Sequence, residues 1–363
     1  MFATKQEKTG LYYDLNARLV IYAPDALGTE SSKTAEGVLR YASNPIVGVI
    51  DKSQAGKTVR QVTGIPLDLP VFASLEEALE LKPQALLLGT AWSGGGLPPS
   101  WKPDLLKALE AGLDIVNGLH DFLSDDPELS KAAEKNSCKL IDVRRPPEHL
   151  PVGTAACRNL DSFVVLTVGT DCSVGKMTSS LELAKVAREK NKKAAFVATG
   201  QTGIMICGTG IAIDRVIGDF MSGAVEQMVL EAAVDNDYVF VEGQGSIVHP
   251  SFSGVTLSLM HGACPKALIL CHNAKRSKIK EKGIDMDILP LDELVSLYER
   301  LCSYLQKTKV LGVAFNTHGM SEEDAAQAIA SAEKLLNIPV CDPVRQGAGR
   351  LFDAIEKYKE SLA

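Results

Sequence analysis

Residues 163–180 read FVVLTVGTDCSVGKMTSS, and this stretch decides the fold. Its first seven residues, FVVLTVG, are too few for a helix and apolar on both faces, the pattern of a strand inside a parallel sheet. A glycine-bounded turn follows, and MTSSLELAKVAREK (177–190) continues with helical spacing. Gly169, Gly175 and Lys176 thus lie between a strand and a helix start, where successive backbone N–H groups and a helix N-terminus converge on phosphate oxygens. Lys176 adds a point charge. The expected phosphate-binding set is Gly169, Thr170, Asp171, Cys172, Ser173, Val174, Gly175, Lys176, Met177 and Thr178. The spacing is G-x5-GK, and Met177 fills the slot where a serine or threonine usually holds Mg²⁺, with Thr178 one residue late. The loop is therefore expected to grip the phosphates of a nucleotide-tailed carrier, and no metal site is assigned.

Working outward, the second half supplies further short apolar runs: AAFVATG (194–200), YVFVEGQG (238–245), ALILCH (267–272), VLGVAFNT (310–317) and IPVCD (338–342). A helix over 321–336 opens on Ser321 and Asp324 as a capping box. The first half alternates in the same way, with RLVIYA (18–23), IVGVID (46–51), ALLLGT (85–90) and DIVNG as strands and helices between them. KLIDVRRPPEHLPVG (139–153) brings three prolines and a charge cluster between the two regions. The expected architecture is α/β: an N-terminal Rossmann-like domain over 1–150, then a P-loop-type parallel-sheet domain over 151–363. The first strand leads into APDALGTESSKTAEG, without G-x-G-x-x-G, so an NAD site is not supported; Lys33 and Thr34 at a helix start are the better anion candidates there.

Composition narrows the partners. The chain has 363 residues, 45% hydrophobic and 23% charged, which suits two domains of ~150 residues each. A net charge of -7 argues against nucleic acid or an anionic membrane surface as the main partner and favours a small molecule. MFATKQEKTGLYYDL lacks the apolar core of a signal peptide, and no run approaches the ~18 apolar residues of a membrane span, so a cytoplasmic homo-oligomer is expected. Eight cysteines without CxxC spacing fit reduced thiols.

Other strand ends carry candidate chemistry. Glu242 places a carboxylate at the carboxyl edge of the sheet, as metal holder, base or capping group. His249 in SIVHPSFSG is a candidate base or a structural imidazole. Gln201 and Thr202 follow the next strand, and Arg345 in DPVRQG offers a bidentate fork to a substrate carboxylate or forms a surface ion pair.

GTDCSVGKMT resembles the GTD-x-x-VGKT loop of dethiobiotin synthetase and its P-loop relatives, and VEGQGS (241–246) resembles their VEGAGG strand end. Across nearly the whole chain, SKTAEGVLRY (32–41), AGKT (55–58), GTDCSVGKMT, EGQGSIVHP and DPVRQG resemble the DUF1611 family. Members are described as D-glutamate N-acetyltransferases. The resemblance implies an acyltransferase that moves an acetyl group from acetyl-CoA to the amine of an amino acid, D-glutamate by the resemblance alone. His249 or Glu242 would take the amine proton, and Gln201 and Arg345 would bind substrate. The alternative is an ATP- and Mg²⁺-dependent ligase or kinase like dethiobiotin synthetase.

Overall fold

A computed structural model of the chain describes residues 12–91, 95–281 and 283–362. Most of the amino-terminal stretch read above for a leader lies outside them. The chain forms two units: residues 12–146 with Gly200–Arg215, and Pro147–Thr199 with Val216 onward.

The first unit holds a six-stranded sheet of β1 (Leu19–Tyr22), β2 (Ile46–Ile50), β3 (Val71–Phe72), β4 (Ala85–Leu88), β5 (Asp114–Asn117) and β6 (Leu140–Asp142). Their order is β3-β2-β1-β4-β5-β6, with every pairing parallel. This is the doubly wound Rossmann arrangement. Both faces of β1 and β4 are buried, which is why LVIY and ALLL carry no polar alternation. Over one face, the Trp101 ring meets Tyr22 edge-on at 5.2 Å, and the Tyr22 hydroxyl donates to Asp104 at 2.8 Å.

The second sheet holds β7 (Phe163–Gly169), β8 (Ala194–Val197), β9 (Tyr238–Val241), β10 (Ala267–Asn273), β11 (Lys309–Asn316) and β12 (Val340–Cys341). Its order is β12-β11-β10-β7-β9-β8, again parallel throughout. β7 is therefore central, between β10 and β9. Phe163, Tyr238, Phe240 and Phe352 cluster in the core over this sheet, with Phe240 and Phe352 ring centres 6.3 Å apart.

Three details differ from the sequence reading. The 139–153 stretch begins with an edge strand, β6, and the chain beyond it is not a free linker. The Glu226 carboxylate accepts from the Thr154 hydroxyl at 2.7 Å and from the Ala156 N–H at 2.8 Å. A contiguous division at 150/151 also leaves out the excursion of Gly200–Arg215 into the first unit. There the Thr34 and Thr202 hydroxyls pair at 2.9 Å, and Gly118 leaves room for the Met205 methyl, which would lie 3.0 Å from an added Cβ. These contacts span far more sequence than any local pattern reports. Third, Ser321 caps the helix Glu322–Leu336 by accepting the Asp324 N–H at 3.1 Å, while Asp324 turns its carboxylate to the Ser321 hydroxyl at 2.7 Å. Among the described residues no helix is long and apolar enough to cross a membrane, and the eight cysteines are free thiols.

Candidate phosphate-loop site

β7 ends at Gly169, and residues 170–175 turn into the helix Lys176–Glu189. Two backbone positions make the turn. Gly175, the residue before the helix, sits at φ +104°, which only glycine adopts without strain. A Cβ on Gly169 would lie 2.8 Å from the Lys176 ammonium, so the bare backbone lets the lysine fold across the loop. Lys176 is buried, and its Nζ donates to the Asp171 carbonyl at 2.8 Å. Burial pushes its pKa down; Cys172, Cys271, Asp171 and Glu242 oppose that shift. A desolvated ammonium, backbone N–H groups at a helix start and a cradle that side chains would fill suit a diphosphate.

Asp171 organises the outer wall of the loop and is completely buried. Its Oδ1 accepts the Cys172 N–H at 2.7 Å; its Oδ2 accepts from Arg276 Nη1 and the Lys280 N–H, both at 2.8 Å. The same Arg276 nitrogen reaches the Cys172 carbonyl at 2.6 Å. Sequence reasoning missed Arg276. It lies in AKRSKIKEKG, a basic run just after β10, the strand that pairs Cys271 with Gly169, and nothing in that run singles it out as a partner of the loop. Burial pushes the Cys172 thiol up, so it remains protonated at neutral pH.

Glu242 follows β9 beside the loop. Its Oε2 accepts the Thr199 N–H at 3.0 Å, and the Thr199 hydroxyl donates to the Glu242 carbonyl at 2.8 Å. Gly243 then passes so close to β7 that an added Cβ would lie 1.8 Å from the Thr167 carbonyl oxygen. The Gly243 N–H donates to the Thr167 hydroxyl at 3.0 Å, and Thr167 also pairs with Ser180 of the loop's helix at 3.0 Å. Strand end, loop and helix are thus tied together.

His249 is completely buried beside Phe252, the ring centres 4.7 Å apart. Its Nδ1 accepts the Ser251 N–H at 3.1 Å; its Nε2 has no partner and lies 3.8 Å from Asp171 Oδ1. Two further residues belong to the site, a tyrosine without sequence signal and a histidine that the sequence placed at a strand end comparable with that of His249. Tyr298 is a fully buried phenol between the loop and the 246–249 turn, and His272 on β10 pairs its Nδ1 with the Thr170 hydroxyl at 2.9 Å. Burial, aided by Arg276, brings the His272 pKa down to about 4, so this imidazole is neutral at pH 7.

The two remaining predicted residues make contacts of their own. Gln201 belongs to the first unit, where its Oε1 accepts from Arg144 Nη1 at 2.8 Å. Arg345 follows edge strand β12, three places from β7, and its guanidinium is committed to Glu322 at 2.7 Å and to the carbonyls of Thr317 and Met320. As for a metal, Asp171, Cys172 and a His249 ring nitrogen lie within 4.8 Å of one another. The hydrogen bonds already made by Asp171 and by His249 Nδ1 build a braced loop wall from these residues.

The molecule is thus a two-domain α/β protein, a Rossmann-like sheet followed by a P-loop sheet, with its best-formed site on the P-loop. Residues 151–352 match the DUF1611 P-loop domain and residues 52–146 the DUF1611_N Rossmann-like domain, both described as domains of unknown function, and the chain belongs to the DUF1611 family. A D-glutamate N-acetyltransferase of Tritonibacter scottomollicae is 38% identical over 92% of this chain and 96% of its own. A second protein of that name, from a Pseudoalteromonas species, is 36% identical over 90% and 95%. The crystal structure of a DUF1611 family protein from Anabaena variabilis superposes with a TM-score of 0.90 at 40% identity, covering 94% of this chain and all of that one.

Proposed function

We propose that the protein is an N-acetyltransferase that moves the acetyl group of acetyl-CoA to the amine of an amino acid, D-glutamate being the substrate named for its relatives. The observation that carries this reading is the buried Lys176 ammonium folded over a glycine cradle, in a loop whose usual Mg²⁺ slot holds Met177. Such a loop can grip a diphosphate without activating it. Residues 169–178 hold the CoA phosphates, and Arg276 keeps Asp171 in place.

An amino acid arrives as an ammonium and must lose a proton before its nitrogen can attack. Glu242 is the residue we assign to take that proton, because it follows β9 beside the loop and holds its carboxylate there through the Thr199 N–H at 3.0 Å. The acetyl thioester supplies the acyl group: the C–N bond forms, the C–S bond breaks, and the second amine proton leaves with the CoA sulfur. The assignment requires the pantetheine arm to fold back toward the loop that holds its phosphates. It also places His249 outside the base role suggested by the sequence.

The test incubates pure protein with acetyl-CoA and D-glutamate, and separately with ATP and Mg²⁺, while free thiol and ADP are followed. Thiol release that depends on D-glutamate is the expected result, with Glu242→Gln losing turnover but not CoA binding. ADP release without thiol would overturn the reading in favour of an ATP-dependent ligase or kinase.

A further inference from the structure

We propose that His249 is a positioning residue, a hydrogen-bond donor that fixes loop residue Asp171 when an anion binds, and not a proton acceptor. The inference rests on the anion-binding part of the reading above and is independent of acetyl transfer.

An imidazole nitrogen that accepts a hydrogen bond carries no proton, and Nδ1 accepts the Ser251 N–H at 3.1 Å. A neutral ring then has its proton on Nε2. An acceptor role for Nδ1 is thus already filled by the Ser251 N–H inside a completely buried site. Neither nitrogen is left to take a proton from a substrate.

What remains is the Nε2–H. It is buried, has no hydrogen-bond partner and lies 3.8 Å from Asp171 Oδ1, about 0.6 Å beyond the ~3.2 Å reach of an N–H···O bond. Buried donors are rarely left unmade, so this one marks a contact that another arrangement of the loop completes. Lys176 Nζ is bonded to the Asp171 carbonyl at 2.8 Å. A diphosphate in the loop competes for that ammonium and frees the Asp171 backbone, and the carboxylate can close on Nε2–H while keeping its Arg276 partner. The charged and titratable groups facing the ring are Asp171 and Cys172, with Lys176 and Arg276 behind them. His249 thereby couples occupation of the loop to the geometry of its wall.

The test uses inorganic pyrophosphate as the probe and has two arms. In the full-length protein labelled with ¹⁵N-histidine, the neutral His249 ring should show a bare Nδ1 and a protonated Nε2, and the Nε2–H signal should shift when pyrophosphate is added. In binding titrations, His249→Ala should weaken pyrophosphate by roughly tenfold, and His249→Gln, whose amide restores a donor, should recover most of the loss. The opposite tautomer, an Nε2–H signal that pyrophosphate leaves unmoved, or a glutamine variant no better than alanine would overturn the proposal. The labelled wild-type protein decides the matter even where a variant fails to fold, and a protein that binds pyrophosphate without transferring acetyl groups would sink only the acyltransferase reading.

Discussion

The Tyr298 hydroxyl donates to the Gly169 carbonyl at 2.7 Å and accepts the Ile247 N–H at 3.0 Å. One buried phenol therefore joins the last residue of β7 to the turn that carries His249. Tyr298→Phe removes both bonds and leaves a carbonyl and an N–H unmade in the core, which costs about 1–3 kcal/mol each at most. We expect a lower unfolding midpoint and weaker pyrophosphate binding. Burial pushes the phenol up to about 12, so both losses should be the same at pH 6 and pH 9. Denaturant titration and calorimetry at the two pH values check this.

Lys176 makes the opposite prediction for stability. Its pKa is lowered by burial, so between that lowered value and the ordinary ~10.5 the unfolded chain binds more protons than the native one. Stability should therefore rise as pH climbs through this window. Lys176→Met, which replaces a buried charge by an apolar chain of similar length, should bind pyrophosphate at least tenfold more weakly yet unfold no earlier than wild type. Early unfolding of Lys176→Met would mean that the ammonium serves the fold rather than a ligand.

His272 predicts an acid-sensitive unit. Its folded pKa is about 4, against an ordinary value near 6.5, so the unfolded state takes up a proton first as pH falls. Stability contributed by the neutral ring is present above about pH 6.5 and is lost between 6.5 and 4, by a few kcal/mol at most. His272→Asn should flatten the dependence of the unfolding midpoint on pH in that window. An unchanged slope would place the titrating group elsewhere.

Metal removal should leave acetyl transfer intact. Asp171 is already neutralised by Arg276, and Met177 stands where a hydroxyl would meet Mg²⁺. Thiol release measured after dialysis against EDTA should match the untreated rate within error. A loss restored by Mg²⁺ would point to the nucleotide-hydrolysing alternative.

The loop was legible because its chemistry is local: a strand, two glycines and a lysine adjacent in sequence are adjacent in space. β7 runs over Phe163–Gly169, as the FVVLTVG run implied, and Gly175 takes the left-handed conformation that a glycine before a helix suggests. Glu242 was legible for the same reason, since strand ends of a parallel sheet share one edge. Arg276 and Tyr298 were not, because they reach the loop from 105 and 129 residues away and nothing local marks an arginine or a core tyrosine as its partner. Gln201 was read as a strand-end residue by the same logic as Glu242. It follows a strand of the second sheet, but the chain leaves that unit at Gly200, and the contacts that draw it away, such as Thr34 with Thr202, are visible only in three dimensions.

Gly243 offers the sharpest test of how the strand end and the loop depend on each other. Its missing side chain lets β9 approach β7, where an added Cβ would sit 1.8 Å from the Thr167 carbonyl and 3.0 Å from Lys176 Cδ. The first contact is with backbone, which cannot swing aside, so Gly243→Ala must push the strand ends apart. Overpacking of this kind costs about 1–3 kcal/mol or more. The displacement also breaks the Gly243 N–H bond to Thr167 and moves Glu242 relative to Lys176. We therefore expect both a lower unfolding midpoint and weaker pyrophosphate binding. Gly254→Ala is the control: it lies in the helix Ser253–Ala263 with nothing within 4 Å of an added Cβ, and should leave stability unchanged or raise it by up to about 1 kcal/mol. If the two variants behave alike, the close approach of β9 to β7 does not govern the loop.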